Sequence, residues 1–187
     1  MSVLRLIKSK LKSNNKMENQ TTSSKSIMLN YGLYLGLASI LILLIKYVLG
    51  MTYEQVWWES VISFAISIVL IFMGTKAFRS SNQGLLSFGQ GLKIGVGIAL
   101  ISGVILVIYQ QIFMNFIEPD YMKNMMEVTR QTLVEQNMTS EQIETTMEMS
   151  EGFSSPLITS GFALIGALFL GFIISLFTTL ILKKGEE

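Results

Sequence analysis

Lys46 and Glu59, thirteen positions apart, are the two charged side chains that stand just inside otherwise apolar boundaries. An ammonium and a carboxylate at that depth can form an ion pair, or can start a proton or substrate relay where further ionisable groups lie deeper. No such groups follow them, because the stretches inward of both are uncharged. The pattern therefore predicts an interfacial ion pair between Lys46 and Glu59. Tyr109, Gln110 and Gln111 stand near the same level, where they can line a small outward-facing cavity or serve as interhelical hydrogen-bond partners. The chain has no cysteine and no histidine. That excludes disulfides, thiolate nucleophiles, imidazole bases, Ser-His-Asp triads and the usual zinc sites.

Other side chains with chemical potential fare no better. Met114, Met122, Met125, Met126, Met138, Met147 and Met149 carry thioethers suited to copper(I). With no histidine or cysteine beside them, they are better read as filling a hairpin core or as an adaptable partner surface. Eight carboxylates between Glu118 and Glu151 lack the spacing of a calcium loop. The glycine run from Gly89 to Gly97 matches neither nucleotide-loop pattern. No catalytic residue, metal site, cofactor or nucleic-acid surface is assigned, and an enzyme is not expected.

The elements that must position these residues are written in the charge pattern. Uncharged runs of 20, 16, 24 and 31 residues separate Lys25 from Lys46, Glu59 from Lys76, Lys93 from Glu118 and Glu151 from Lys183. A helix crosses the hydrocarbon core in about 20 residues, and Trp57, Trp58 and Lys76 extend the short second run at its interfaces. Four membrane spans follow. Six basic residues precede the first, Lys76, Arg79 and Lys93 flank the second turn, and Lys183 and Lys184 follow the last, placing 11 of 14 on one side. The positive-inside rule then puts both termini in the cytoplasm. Residues 1–26 read as a basic disordered tail; Val3, Leu4, Leu6, Ile7 and Leu11 alternatively form a basic amphipathic helix on the membrane, or translation starts at Met17.

Residues 27–184 read as one membrane domain, an all-α four-helix bundle. Its long connection, 115–155, carries a net charge of −6 and is predicted to form an extracytoplasmic acidic helical hairpin. Pro119 and Asp120 open the first helix, Thr139 and Gln142 form a capping box for the second, Gly152 ends it, and Pro156 starts the last span. Small residues every fourth position, Ser87, Gly91, Gly95, Ala99 and Gly103 in span three and Thr159, Ala163, Ala167, Gly171, Ser175 and Thr179 in span four, predict close backbone contact between these spans, or dimerisation through one row. Gly32 and Gly36 in span one, and Ser63, Ser67 and Gly74 in span two, supply further stripes.

The segments Tyr31-Gly32-Leu33-Tyr34-Leu35-Gly36, Ser87-Phe88-Gly89-Gln90-Gly91-Leu92-Lys93-Ile94-Gly95, Glu118-Pro119-Asp120-Tyr121 and Glu141-Gln142-Ile143-Glu144, together with the glycine-rich last span, resemble the bacterial domain-of-unknown-function 4199 family over about residues 26–184. The resemblance implies a four-span inner-membrane protein with no catalytic residues to carry over, and a link to polyprenyl-phosphate sugar metabolism. The expected function is a non-enzymatic accessory or scaffold subunit of an envelope complex, with a membrane or periplasmic partner on residues 115–155 and the bilayer around the spans. The alternative is a small transporter or channel with an outward-facing polar cavity.

Overall fold

The computed structural model describes residues 2–183 except residue 55, with side chains from residue 24 onward. All but the last three residues of the tail expected over 1–26 lie outside those whose side chains are described. The helices run in the order α1 (Ser2–Val48), α2 (Trp57–Ser81), α3 (Phe88–Ile112), α4 (Tyr121–Glu135), α5 (Ser140–Phe153) and α6 (Pro156–Leu182). Four stretches are long and apolar enough to cross a membrane: Ser24–Val48, Trp57–Ser81, Phe88–Ile117 and Pro156–Leu182. A helix closes its own backbone hydrogen bonds, which hydrocarbon demands of any spanning segment. Leu157, Ile165, Phe169, Phe177 and Ile181 on α6 are exposed, a surface suited to lipid and unsuited to water.

The centre of the bundle is α3. It packs most extensively on α6 and α1 and also meets α2, which in turn meets α1 and α6. Packing is uneven along the helix axes. The buried residues of α2 are Ile71, Gly74, Thr75 and Phe78; those of α3 run from Gly91 to Gly103; those of α6 run from Gly171 to Leu182. Apart from Ser102 and Gly103, just past the middle of α3, these belong to the half of the bundle nearer the α2–α3 turn. Leu35, Ile71, Phe78, Leu86, Ile94, Ile98, Ile174 and Leu182 form one buried cluster there. Leu86, fully buried, enters from the turn itself, where Gly84 takes a φ of +80° that side chains other than glycine adopt at a cost.

Small residues hold the closed half together. A methyl group at Gly91 would collide with Thr179, one at Gly95 with Ser175, one at Gly171 with Ala99, and one at Gly103 would lie 2.9 Å from Leu164. The contact between rows thus extends from Gly91–Gly103 on α3 to Ala167–Thr179 on α6. Three members of the rows stand outside it. Ser87 is the exposed N-cap at the start of α3, and at the other end of the bundle Thr159 donates to the Ser155 carbonyl at 3.1 Å and Ala163 is exposed. On the other flank Gly32 and Gly36 admit Ile101 and Ile105 of α3 to within 2.7 and 2.9 Å of where a Cβ would stand.

At the opposite end α3 continues through a π-helical turn, Phe113–Ile117, closed by the Glu118 amide on the Phe113 carbonyl at 2.8 Å. The α4 helix begins at Tyr121, so Pro119 lies in the turn before it and Asp120 is its N-cap without a side-chain cap bond. Pro119 therefore does not open the helix: the π turn ends at Ile117 and a tight turn intervenes. Thr139 and Gln142 form a reciprocal capping box at the start of α5, which continues one residue past Gly152 to Phe153. Ser155 caps α6, with Pro156 in its first turn. The α5 helix packs on α4, burying Ile143 and Met147.

Overpacking a close helix contact costs about 1–3 kcal/mol. Gly95→Val and Gly171→Val are each expected to lower the thermal midpoint of the detergent-solubilised protein. Gly161→Ala and Gly166→Ala, where nothing lies within 4 Å of the added carbon, do not lower it.

Candidate functional site

Lys46 lies in the last turn of α1 and Glu59 in the first turn of α2. Each charge sits at the helix end whose dipole favours it. Between them the chain reverses through Gly50, at a φ of +72°, with the Met51 amide on the Lys46 carbonyl at 2.9 Å. This reversal returns Glu59 to the level of Lys46. The Lys46 Nζ stands 2.6 Å from Glu59 Oε2 and donates also to the Glu54 carbonyl at 3.0 Å. Lys46 is 8% exposed, while the Glu59 side chain keeps 24% of its exposure.

A second polar group ties the α1–α2 loop to the start of α4. The Tyr53 hydroxyl donates to Glu118 Oε1 at 3.1 Å and accepts from Asn124 Nδ2 at 3.0 Å. Tyr53 stacks on Tyr121 with ring centroids 5.6 Å apart, and Phe113 meets Tyr121, Tyr47 and Tyr109 through its faces and edges. Burial, then the Asn124 hydrogen bond acting the other way, then the Glu118 carboxylate leave the Tyr53 phenol above its ordinary value of 10. Burial first, and then Tyr53 and Glu59, raise Tyr121 likewise. Both phenols therefore remain O–H donors at neutral pH, and the neutral form that supports the tie is lost only as pH climbs past 10.

Three cavities meet at the ion pair. The first, of 570 Å³, is bordered by Lys46, Glu59, Ser60, Ser63, Tyr53 and Tyr121. A second, of 280 Å³, lies among Lys46, Thr52, Tyr109, Gln110, Phe113 and Tyr121. The third, of 260 Å³, runs down the bundle axis from Glu59 past Ser63, Ser67 and Ser102 to Ile71 and Ile174. Protein interiors seldom hold voids much larger than a water molecule, so this end of the bundle is open where the other is closed.

The structure thus brings Lys46, Glu59, Tyr109 and Gln110 to one place. Gln111 turns away and donates to Ser160 Oγ at 3.0 Å, linking α3 to α6. Ser63 and Ser67 border the axial cavity, whereas Gly74 of the same stripe packs against Ile98 and Tyr31. Tyr53, Glu118 and Asn124 escaped sequence reasoning, since they join positions 65 and 71 residues apart. Ser39 and Ser102 carried no separate signal either, but Glu59, Ser63 and Ser67 did, as polar residues at every fourth position of an apolar helix. The methionines of α4 are half-buried, Met147 is buried and Met149 is exposed. Among the described residues no three His, Cys, Asp or Glu side chains group as a metal would need.

Four apolar helices long enough to cross a bilayer, with a polar site confined to one end, define a multi-pass membrane protein. A family described as protein of unknown function, DUF4199, matches residues 30–184, and the chain belongs to that family. No curated protein and no solved structure matches it.

Removing one partner of a buried ion pair strands the other charge, at a cost of about 3–5 kcal/mol, and the partial exposure of Glu59 points to the lower end. Glu59→Gln is expected to lower the unfolding midpoint in detergent by more than the double substitution Lys46→Met with Glu59→Leu, in which neither charge is left unpaired. A loss in the double variant equal to the sum of the losses in Lys46→Met and Glu59→Leu taken singly would show that the pair contributes no coupling.

Proposed function

We propose that this protein is a non-enzymatic multi-pass component of the bacterial cytoplasmic membrane, with both termini in the cytoplasm and the acidic α4–α5 hairpin outside, that binds a small ligand in an outward-opening cavity. The observation that carries the reading is the convergence of three cavities on the Lys46–Glu59 pair at the loosely packed end. The orientation rests on the cationic residues gathered at the opposite end, near the α2–α3 turn and beyond α6. The closed half, sealed by Leu86, Ile94 and Ile98, favours binding over a continuous pore. The absence of cysteine and histidine from the chain favours a binding role over catalysis.

A second reading, an accessory subunit whose hairpin engages a membrane or periplasmic protein, is favoured by the large exposed side chains Val134 and Met149 on an otherwise charged appendage. Photocrosslinkers at those two positions are expected to capture a distinct protein if this reading holds; capture of lipid and self alone counts against it.

Because the chain has no native thiol, single cysteines report accessibility cleanly. A membrane-impermeant thiol reagent added outside intact spheroplasts is expected to label Ser60→Cys and Ser63→Cys at the mouth, and not Thr75→Cys in the closed half. Labelling of the mouth positions only after the membrane is broken would sink the outward orientation.

A further inference from the structure

The chemistry of the 280 Å³ cavity differs from that of its neighbours. It is lined by Lys46, Thr52, Tyr109 and Gln110 with apolar walls, and no carboxylate borders it. Glu59 borders the other two cavities instead. The Tyr109 hydroxyl is buried without a hydrogen-bond partner. An ammonium has three donors, and Lys46 uses two of them, on Glu59 and Glu54. A buried hydroxyl left unpaired is costly, so the arrangement calls for an acceptor from outside the chain. Thr52, Tyr109 and Gln110 can each donate a hydrogen bond beside the one cation, and no carboxylate competes for them in this cavity, which suits a small oxyanion.

The adjoining axial cavity asks for something different. Leu43 and Leu106 line both cavities, so the two adjoin across these side chains. Its serines are less polar than their number implies: Ser39 and Ser67 donate to the Leu35 and Ser63 carbonyls of their own helices, leaving Leu35, Ile42, Leu106, Leu170 and Ile174 to set its character. Its floor is the closed half at Ile71 and Ile174. From Glu59 to Ile71 the rise of α2 gives a depth of about 18 Å. At 260 Å³ the cavity falls below the range of about 300–1,000 Å³ typical of drug-sized ligands, leaving room for one hydrocarbon chain and not two.

Building on the outward-opening cavity of the previous subsection, we propose that the site binds a single-chain amphiphile, its carboxylate or phosphate head at Lys46, Tyr109 and Gln110 and its hydrocarbon chain in the axial cavity. The Lys46–Glu59 pair then anchors the ammonium, while the free donors meet the head.

The test is a titration of the delipidated full-length protein in detergent with a fluorescent long-chain fatty acid. Competitors are the unlabelled long-chain fatty acid, a long-chain monoalkyl phosphate, the alcohol of equal chain length and a short-chain carboxylate. Saturable binding of the fatty acid, displaced by at least one of the two long-chain anions and roughly tenfold less well by the alcohol or the short acid, is the expected result. Preference between carboxylate and phosphate distinguishes a free fatty acid from a lipid phosphate. Tyr109→Phe, which removes an unpaired hydroxyl, is expected to weaken binding several-fold while leaving the melting midpoint of the unliganded protein undiminished, and Ser67→Leu is expected to weaken long chains more than short ones. Equal affinity for the alcohol, absence of saturable binding, or full affinity in Tyr109→Phe would overturn the proposal. If the mouth cysteines label from outside while no anion binds, the ligand class is wrong and the outward-opening cavity stands.

Discussion

The contact on which the rest depends is the close approach of α3 and α6 along Gly91, Gly95, Ala99 and Gly103 on one side and Ala167, Gly171, Ser175 and Thr179 on the other. In a bilayer, apolar side chains gain little by leaving lipid for a neighbouring helix, so association rests on van der Waals packing and on how near two backbones can come. Where glycine and alanine face threonine and serine, the backbones approach and the core closes around Ile94, Ile98 and Ile174. Past Gly103 the facing residues become Leu106, Tyr109 and Gln110, and the helices can no longer approach in the same way. The open end is thus a continuation of the same geometry that shuts the other.

The opening requires support, which the ion pair and the aromatic cluster supply from the rim. Lys46 fixes the end of α1 to the start of α2 and to the loop between them. Phe113, buried at the start of the π turn, joins Tyr47, Tyr109 and Tyr121, so that α1, α3 and α4 share one aromatic contact. Local π-helical turns recur at functional sites because they re-aim a side chain without ending the helix.

Much of this was readable in the chain because a membrane imposes simple demands. Span number follows from uncharged length, the α5 start from Thr139 and Gln142, and the α6 start from Pro156. The Ser87–Gln90 capping box also lay open in the Ser-x-x-Gln spacing, yet Ser87 read as part of the packing row, since its place every fourth residue fits both roles. The charges of Lys46 and Glu59 stood out, but the hydroxyl of Tyr53 between Glu118 and Asn124 did not. That contact comes from distant parts of the chain meeting, and no local periodicity encodes it. Nor does a row of small residues say where it stops being in contact; that depends on the volume of the residues facing it.

The α4 helix is joined to the bundle near its first turn, through Tyr121 and Asn124, and packs on α5. Its 15 residues span about 22 Å. Mechanically it is a lever whose fulcrum sits beside the cavity mouth: a modest sideways load at the tip would turn into a much larger force, over a shorter travel, on the Tyr53 loop.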